Sequence, residues 1–147
     1  FEKLRRYTEV DPNARPLMEL AFREGYQVAI ATQPVFPQQA ILARLRWAGV
    51  GVERYDYDFV AAYDNMCACN FNPWLIGALL ERLGRDSNEC LMVGDSPEAD
   101  LSARRLGIKT FWVDRGRIPK LPQAASDAQG SLRDLMILIQ NGGIHDL

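Results

Sequence analysis

The chain has 147 residues, of which 48% are hydrophobic and 24% are charged, and this composition is typical of one soluble globular domain with a sizeable core. A net charge of −2 gives no basic surface for nucleic acid, and no apolar run is long enough to span a membrane. Cys67, Cys69, Cys90 and the single His145 do not form a zinc pattern. We therefore expect a cytoplasmic protein with reduced thiols and without nucleic-acid or membrane partners; its oligomeric state is not readable.

The predicted elements alternate between helix and strand along the chain. Helices are marked by an Asp, Asn, Pro or Ser at the start and most end at a glycine; they span residues 12–24, 37–48, 73–83 and 98–106, with a last helix after Ser131. Short apolar runs predict strands at 26–31, 58–62, 90–93 and 110–113, whereas 114–130 is interpreted as a loop. This order predicts an α/β fold, a Rossmann-like three-layer parallel sheet with helices on both faces.

Residues 91–100 (LMVGDSPEAD) carry the strongest functional signal. An apolar strand ends at Gly94, Asp95 follows it directly, and Asp100 lies in the first turn of the next helix. Ligands of open α/β sheets bind at this end of the strands, and Mg²⁺ binds there through a few carboxylates, water and substrate phosphate. The alternative is a polar loop with two solvated acids, in which Ser96 serves as a helix cap, the role we favour for it over metal ligation.

Polar residues also follow two other predicted strands. One loop carries Thr32 and Gln33, and another spans residues 63–72 (YDNMCACNFN). Loops at the carboxyl ends of parallel strands converge on the same edge of the sheet. A hydroxyl, an amide and an acid pair gathered at this edge are groups suited to hold a phosphoryl group and its metal.

This arrangement resembles the haloacid dehalogenase superfamily, whose members are mostly Mg²⁺-dependent phosphohydrolases. Related hydrolases have Ala-Thr-Asn-Pro-x-Phe-Pro where this chain has residues 31–37 (ATQPVFP). Three further segments look similar and occur in the expected order: residues 44–49 (RLRWAG), 63–66 (YDNM) and 94–100 (GDSPEAD), the last followed by 103–107 (ARRLG). The resemblance covers nearly the whole chain.

The resemblance implies a role for each matching residue and a small phosphorylated substrate. Thr32 would hydrogen-bond a phosphoryl oxygen, with Gln33 beside it where related sequences usually have Asn. Asp95 would bind Mg²⁺, and Asp100 would hold the metal directly or through a water. Asn70 stands at the place of the family's lysine and is uncharged, so the missing cation is expected to cost about a few kcal/mol of transition-state stabilisation.

The family's first motif, Asp-x-Asp-x-Thr/Val, supplies the nucleophile and the general acid/base, and nothing in this chain matches it. Asp56-Tyr57-Asp58 has two acids at the right spacing, but the pair precedes an apolar run and is interpreted as a solvated strand entry. In the family, the nucleophile strand lies between the strands that here end at Thr32 and Val93. Without it, these two strands would pair directly or leave open edges.

We therefore interpret residues 11–147 as part of a haloacid dehalogenase-like core, incomplete at its N-terminal strand and cap, and residues 1–10 as a remnant of the cap or a linker. The predicted function is Mg²⁺-dependent phosphate-ester hydrolysis through an aspartyl-phosphate, with the nucleophilic Asp absent and this chain alone inactive. A non-catalytic phosphate-binding or interaction module is the alternative. A receiver-like signalling domain is disfavoured because Lys109 precedes its strand.

Overall fold

The computed structural model describes residues 2–66, 73–116 and 125–147. The chain divides into two compact units, Phe1–Asn70 and Phe71–Leu147. The three strand pairs of the described residues are all parallel and alternate with helices, which confirms the predicted α/β class. In the same residues, no helix is both long and apolar enough to cross a lipid bilayer. The predicted boundary at residue 10 stays a prediction.

The first unit places two α-helices beside a small parallel sheet. A 3₁₀ helix, Glu2–Tyr7, precedes α1 (Ala14–Arg23) and α2 (Gln38–Trp47), and the sheet pairs β1 (Ala29–Ile30) with β2 (Phe59–Val60). Its buried apolar side chains are Leu17, Leu20, Ala21, Ala40, Ile41, Ala43, Val50, Ala61 and Ala62.

The end of α1 explains why β1 is shorter than the strand predicted at 26–31. Gly25 adopts a φ of 79°, which is unfavourable for other residues, and the Tyr26 N–H then bonds back to the Ala21 carbonyl at 3.1 Å. The start of the apolar run thus completes the helix cap, and only Ala29 and Ile30 pair with β2.

Three aromatic rings add to the packing of the first unit. Phe22 stacks on Tyr55 with centroids 5.2 Å apart and meets Tyr57 edge-on at 5.6 Å. The Tyr57 hydroxyl donates a hydrogen bond to the Val50 carbonyl at 2.7 Å. Burial, followed by the charges of nearby groups, raises the pKa of Tyr57 to about 12.

The second unit contains a three-stranded parallel sheet. Its α-helices and strands are α3 (Pro73–Leu83), β3 (Leu91–Gly94), β4 (Lys109–Val113), β5 (Ala128–Gly130) and α4 (Leu132–Gln140), and the strand order is β3-β4-β5. The central strand β4 is the most buried, because it has a neighbour on both sides. Among the described residues, this unit also has 3₁₀ helices at Ser87–Glu89, Asp100–Leu106 and Gly143–Asp146.

The strand β5 corrects the sequence interpretation, which assigns residues 114–130 to a loop. The β5 sequence, Ala-Gln-Gly, has no β-branched or aromatic side chain, so no local pattern marks it as a strand. It forms because Phe111, Trp112 and Val113 of β4 pair with it in parallel register. Pairing with β4, and not the local sequence, therefore makes residues 128–130 a strand.

The helix predicted at 98–106 begins later and is a 3₁₀ helix, Asp100–Leu106. Both the N–H and the hydroxyl of Ser102 bond to the carbonyl of Ala99, three residues earlier, at 3.3 and 2.6 Å. Such i to i+3 bonds tighten the turn and compete with the α-helical pattern. The predicted end is correct, because Gly107 takes a φ of 82° after the last helical residue.

The start of α4 confirms the cap predicted from sequence. The Ser131 hydroxyl accepts a hydrogen bond from the Asp134 N–H at 3.2 Å, and the Asp134 carboxylate accepts one from the Ser131 N–H at 2.8 Å. This capping box satisfies two helix-end donors. The hydrogen bonds from Ser131 lower the pKa of Asp134 below its usual value.

The strands predicted to flank the family's nucleophile strand are β1 and β3. Among the described residues, β1 has β2 as its strand partner and β3 has β4. Val93 of β3 is 38% exposed, although its run of apolar residues predicts a buried strand. The arrangement expected between these two strands stays a prediction.

Candidate functional site

Residues 94–100, the acid motif that carries Asp95 and Asp100, form a tight turn at the carboxyl end of β3. The Asp100 carboxylate accepts a hydrogen bond from the Ser96 N–H at 2.9 Å, and it packs so closely on Gly94 that a Cβ there would overlap it. The Ser96 hydroxyl accepts a bond from the Ala99 N–H at 3.3 Å and so caps this turn. The turn therefore holds Asp100 close to the position of Asp95, directly after the strand.

Burial is the main cause that raises the pKa of the Asp100 carboxyl above its usual value. The negative charge of Asp95 raises it further, while the backbone N–H groups of Ser96 and Asp95 act in the opposite direction. Burial therefore disfavours the charged form of Asp100 first, and the neighbouring charge of Asp95 adds to this effect. A cation at this position would relieve the repulsion between the two carboxylates.

One cation of the protein already contacts the pair. Asp95 is half-exposed, and its Oδ2 forms an ion pair with Arg115 Nε at 2.8 Å. Arg115 follows β4 by two residues, and the Trp112 indole N–H of β4 contacts the Asp95 carbonyl at 3.4 Å. Arg115 is not among the residues predicted from sequence, although its place shortly after the strand predicted at 110–113 was an available signal.

The donor set fits a hard divalent cation. In the described part of the chain, no group of three or more His, Cys, Asp or Glu side chains forms a metal cluster. Mg²⁺ is usually bound through one or two carboxylates, with waters and substrate phosphate as its other ligands. Asp95 and Asp100 would supply these two carboxylates, and Arg115 places a positive charge beside Asp95.

Thr32 lies in the first unit, at the end of β1, and its hydroxyl is already in use. The Oγ1 donates to the Ala61 carbonyl at 3.1 Å and also lies 3.4 Å from the Gln33 carbonyl. A hydroxyl has a single proton, so Thr32 donates to a phosphoryl oxygen only after turning away from Ala61. Gln33 is exposed beside the buried Pro34.

Two residues of the segment 63–66 fix the loops that follow β1 and β2. Asn65 Oδ1 accepts from the Ala62 N–H at 2.9 Å, and its Nδ2 donates to the Val60 carbonyl at 2.8 Å. Asp64 Oδ2 accepts from the N–H of Gln38, the first residue of α2, at 2.5 Å. These side chains position the loops through hydrogen bonds to the backbone.

The pair Asp56 and Asp58 has the structural place that the sequence predicts. The Asp58 carboxylate accepts from the Val28 N–H at 3.1 Å and so joins the entries of β1 and β2, while Asp56 is exposed. The predicted role of Asn70 concerns a residue that lies outside the described residues, as do all of residues 67–72.

The structure thus brings Asp95 and Asp100 together at one end of β3. Thr32 and Gln33 belong to the first unit, and the acid pair belongs to the second. A single site shared by all four residues stays a prediction.

Comparison with known proteins identifies the family. The chain belongs to the haloacid dehalogenase-like hydrolases, because the model of that family matches residues 1–107. It is also 32% identical over 139 residues to a phosphoserine phosphatase from Thermus thermophilus. That match covers 93% of this chain and 53% of the relative, so the chain spans about half the length of this curated protein. The resemblance stated from the sequence motifs is confirmed.

Solved structures share the fold. A HAD phosphatase from Thermococcus onnurineus matches with a TM-score of 0.76 and 24% identity, over 94% of this chain and 61% of that chain. A 2-haloacid dehalogenase from Pseudomonas syringae pv. Tomato DC3000 matches with a TM-score of 0.69 and 17% identity, over 90% of this chain and 54% of that chain. Since one fold hosts both reactions, the choice between them rests on the site residues.

Proposed function

We propose that this chain forms part of a Mg²⁺-dependent phosphohydrolase that acts on a small phosphate ester. The observation that carries the proposal is the acid pair Asp95 and Asp100 at the carboxyl end of β3, where burial and mutual repulsion favour a bound cation. Dehalogenation in this family needs no metal, so the pair favours phosphate-ester hydrolysis. The 32% identity to a phosphoserine phosphatase supports the same class of substrate.

In the proposed mechanism, Asp95 and Asp100 would hold Mg²⁺, which would supply positive charge to neutralise the phosphoryl group. The Thr32 hydroxyl donates to a phosphoryl oxygen after leaving its backbone acceptor, and Gln33 offers its amide beside it. Asn70 donates a hydrogen bond without adding charge. An aspartate from outside these 147 residues attacks phosphorus, and the P–O bond to the substrate alcohol breaks as the alcohol oxygen takes up a proton and leaves. Water then hydrolyses the aspartyl-phosphate, which regenerates the aspartate and releases inorganic phosphate.

The test uses the protein expressed from its complete coding sequence and the substrate p-nitrophenyl phosphate. We expect Asp95→Asn to lower kcat/KM by about 100-fold or more, because the metal's charge on the transferring group is worth several kcal/mol. Asp56→Asn is the matched control, since it neutralises an exposed carboxylate of the first unit. Equal Mg²⁺-dependent rates for the wild type and Asp95→Asn would refute the assignment.

The 147-residue polypeptide by itself is expected to show no enzyme-like turnover, because no Asp-x-Asp motif follows an apolar strand in its sequence. Robust Mg²⁺-dependent turnover by the purified chain would overturn this expectation. A non-catalytic phosphate-binding module is the second candidate, and the uncharged Asn70 favours it. Phosphate binding by the complete protein with no turnover would select the module. We expect the protein in the cytoplasm, where the free thiol of Cys90 stays reduced.

A further inference from the structure

Arg115 is the side chain of the second unit that contacts the acid pair and has no place in the proposed reaction. It reaches Asp95 because β3 and β4 are parallel neighbours, with Gly94 opposite Trp112 in the register. The segments that follow the two strands, which carry Asp95 and Arg115, therefore emerge side by side. Arg115 Nε then meets Asp95 Oδ2 at 2.8 Å.

The ion pair involves one oxygen of a carboxylate that the proposed cation site needs. Arg115 Nε lies 2.8 Å from Asp95 Oδ2. Both side chains are about half-exposed, at 48% for Arg115 and 50% for Asp95, so either can move away without leaving a buried charge. The other carboxylate, Asp100, keeps its backbone partner, the Ser96 N–H.

We propose that Arg115 is a built-in counter-cation of Asp95, and that a divalent cation binds at the acid pair in competition with its guanidinium. This inference rests on the proposed function, since it assumes that Asp95 and Asp100 form the cation site. Arg115 holds the negative charge of Asp95 in the free protein and lowers the affinity for the metal. A half-exposed pair of this kind shifts such an equilibrium by up to about fivefold.

The test is binding of Mn²⁺ alone to the 147-residue chain, measured by electron paramagnetic resonance of the free ion. Arg115→Met keeps the length of the side chain and removes the charge, and we expect it to lower the Mn²⁺ Kd by about fivefold. Arg105→Met is the matched control, because it removes one positive charge from an exposed position of the same unit. We expect its Kd to stay within about twofold of the wild type, since exposed charges farther apart are screened by salt.

Further variants distinguish the competition between Arg115 and the cation from the proposed function itself. Adding Asp95→Asn to Arg115→Met should abolish the gain in affinity. Arg115→Lys retains the charge and should lie between the wild type and Arg115→Met, and it carries the test if Arg115→Met does not fold. An unchanged Kd in both Arg115 variants, or the same gain in Arg105→Met, overturns the competition while Asp95-dependent binding still supports the proposed function. No Mn²⁺ binding to any of these proteins overturns both.

Discussion

Substituting Gly94 by Ala is the most direct perturbation of the acid motif. The added Cβ would overlap the Asp100 carboxylate, which packs against this glycine. The carboxylate must then move and release the Ser96 N–H, to which it is bonded at 2.9 Å. The substitution therefore acts on Asp100 from the neighbouring strand, without changing any charge.

Three contributions determine how far Gly94→Ala changes the free energy of unfolding. Forcing a methyl group into an occupied space costs about 1–3 kcal/mol. Loss of a partly exposed hydrogen bond to the carboxylate adds about 1 kcal/mol. The lower backbone entropy of the unfolded Ala chain offsets about 0.5–1 kcal/mol. We expect Gly94→Ala to lower the free energy of unfolding by about 1–3.5 kcal/mol and to weaken Mn²⁺ binding, because Asp100 is displaced.

Urea unfolding followed by circular dichroism measures the stability, and a double-mutant cycle tests the cause. In an Asp100→Ala background, Gly94→Ala should cost less than about 1 kcal/mol, because no carboxylate is left to overlap. Gly77→Ala is the matched control: nothing lies within 4 Å of its Cβ position in α3, so it should stabilise by up to about 1 kcal/mol. An equal cost of Gly94→Ala in both backgrounds would refute the argument.

Three further predictions concern the framework of the two units. Asp127→Ala should destabilise by about 2–3 kcal/mol in urea unfolding, because the N–H and hydroxyl of the fully buried Thr110 lose their acceptor. Tyr57→Phe should cost about 1 kcal/mol in thermal unfolding, through loss of the hydrogen bond to the Val50 carbonyl. Ser131→Ala should cost about 1 kcal/mol, measured by urea unfolding, because α4 loses its N-cap.

Control substitutions and the pH dependence of stability distinguish the loss of these hydrogen bonds from a general loss of folding. Although burial raises the pKa of Asp127, the hydrogen bonds from Thr110 lower it overall, so its stabilisation is lost as the pH falls through the lowered folded pKa. Tyr57 stays protonated in the folded chain up to about pH 12, so its contribution is lost from pH 10 to about 12. That alkaline loss must be absent in Tyr57→Phe. For Ser131, a Thr substitution should retain the cap, and an equal loss with Thr would contradict the assignment.

Local signals in the sequence determined the α-helices and the acid motif. The predicted starts and ends of α1, α2 and α3 and the predicted start of α4 lie within about two residues of those observed, because capping residues, glycines and apolar periodicity act within one or two turns. The placement of Asp95 and Asp100 at one end of β3 was also predictable. A glycine, a turn and a helix start within about six residues leave the two acids little freedom to separate.

Contacts between distant parts of the chain were decided only by the tertiary structure. The Ala-Gln-Gly strand β5 exists because β4 supplies its hydrogen-bond partners. Asp127 contacts Thr110, which lies 17 positions earlier in the chain, and Asp64 contacts the start of α2, which lies 26 positions earlier. Arg115 contacts Asp95 because β3 and β4 pair in parallel register. No short-range pattern encodes such partners, because the same side chain at the same local position is solvated until folding brings its partner within hydrogen-bond distance.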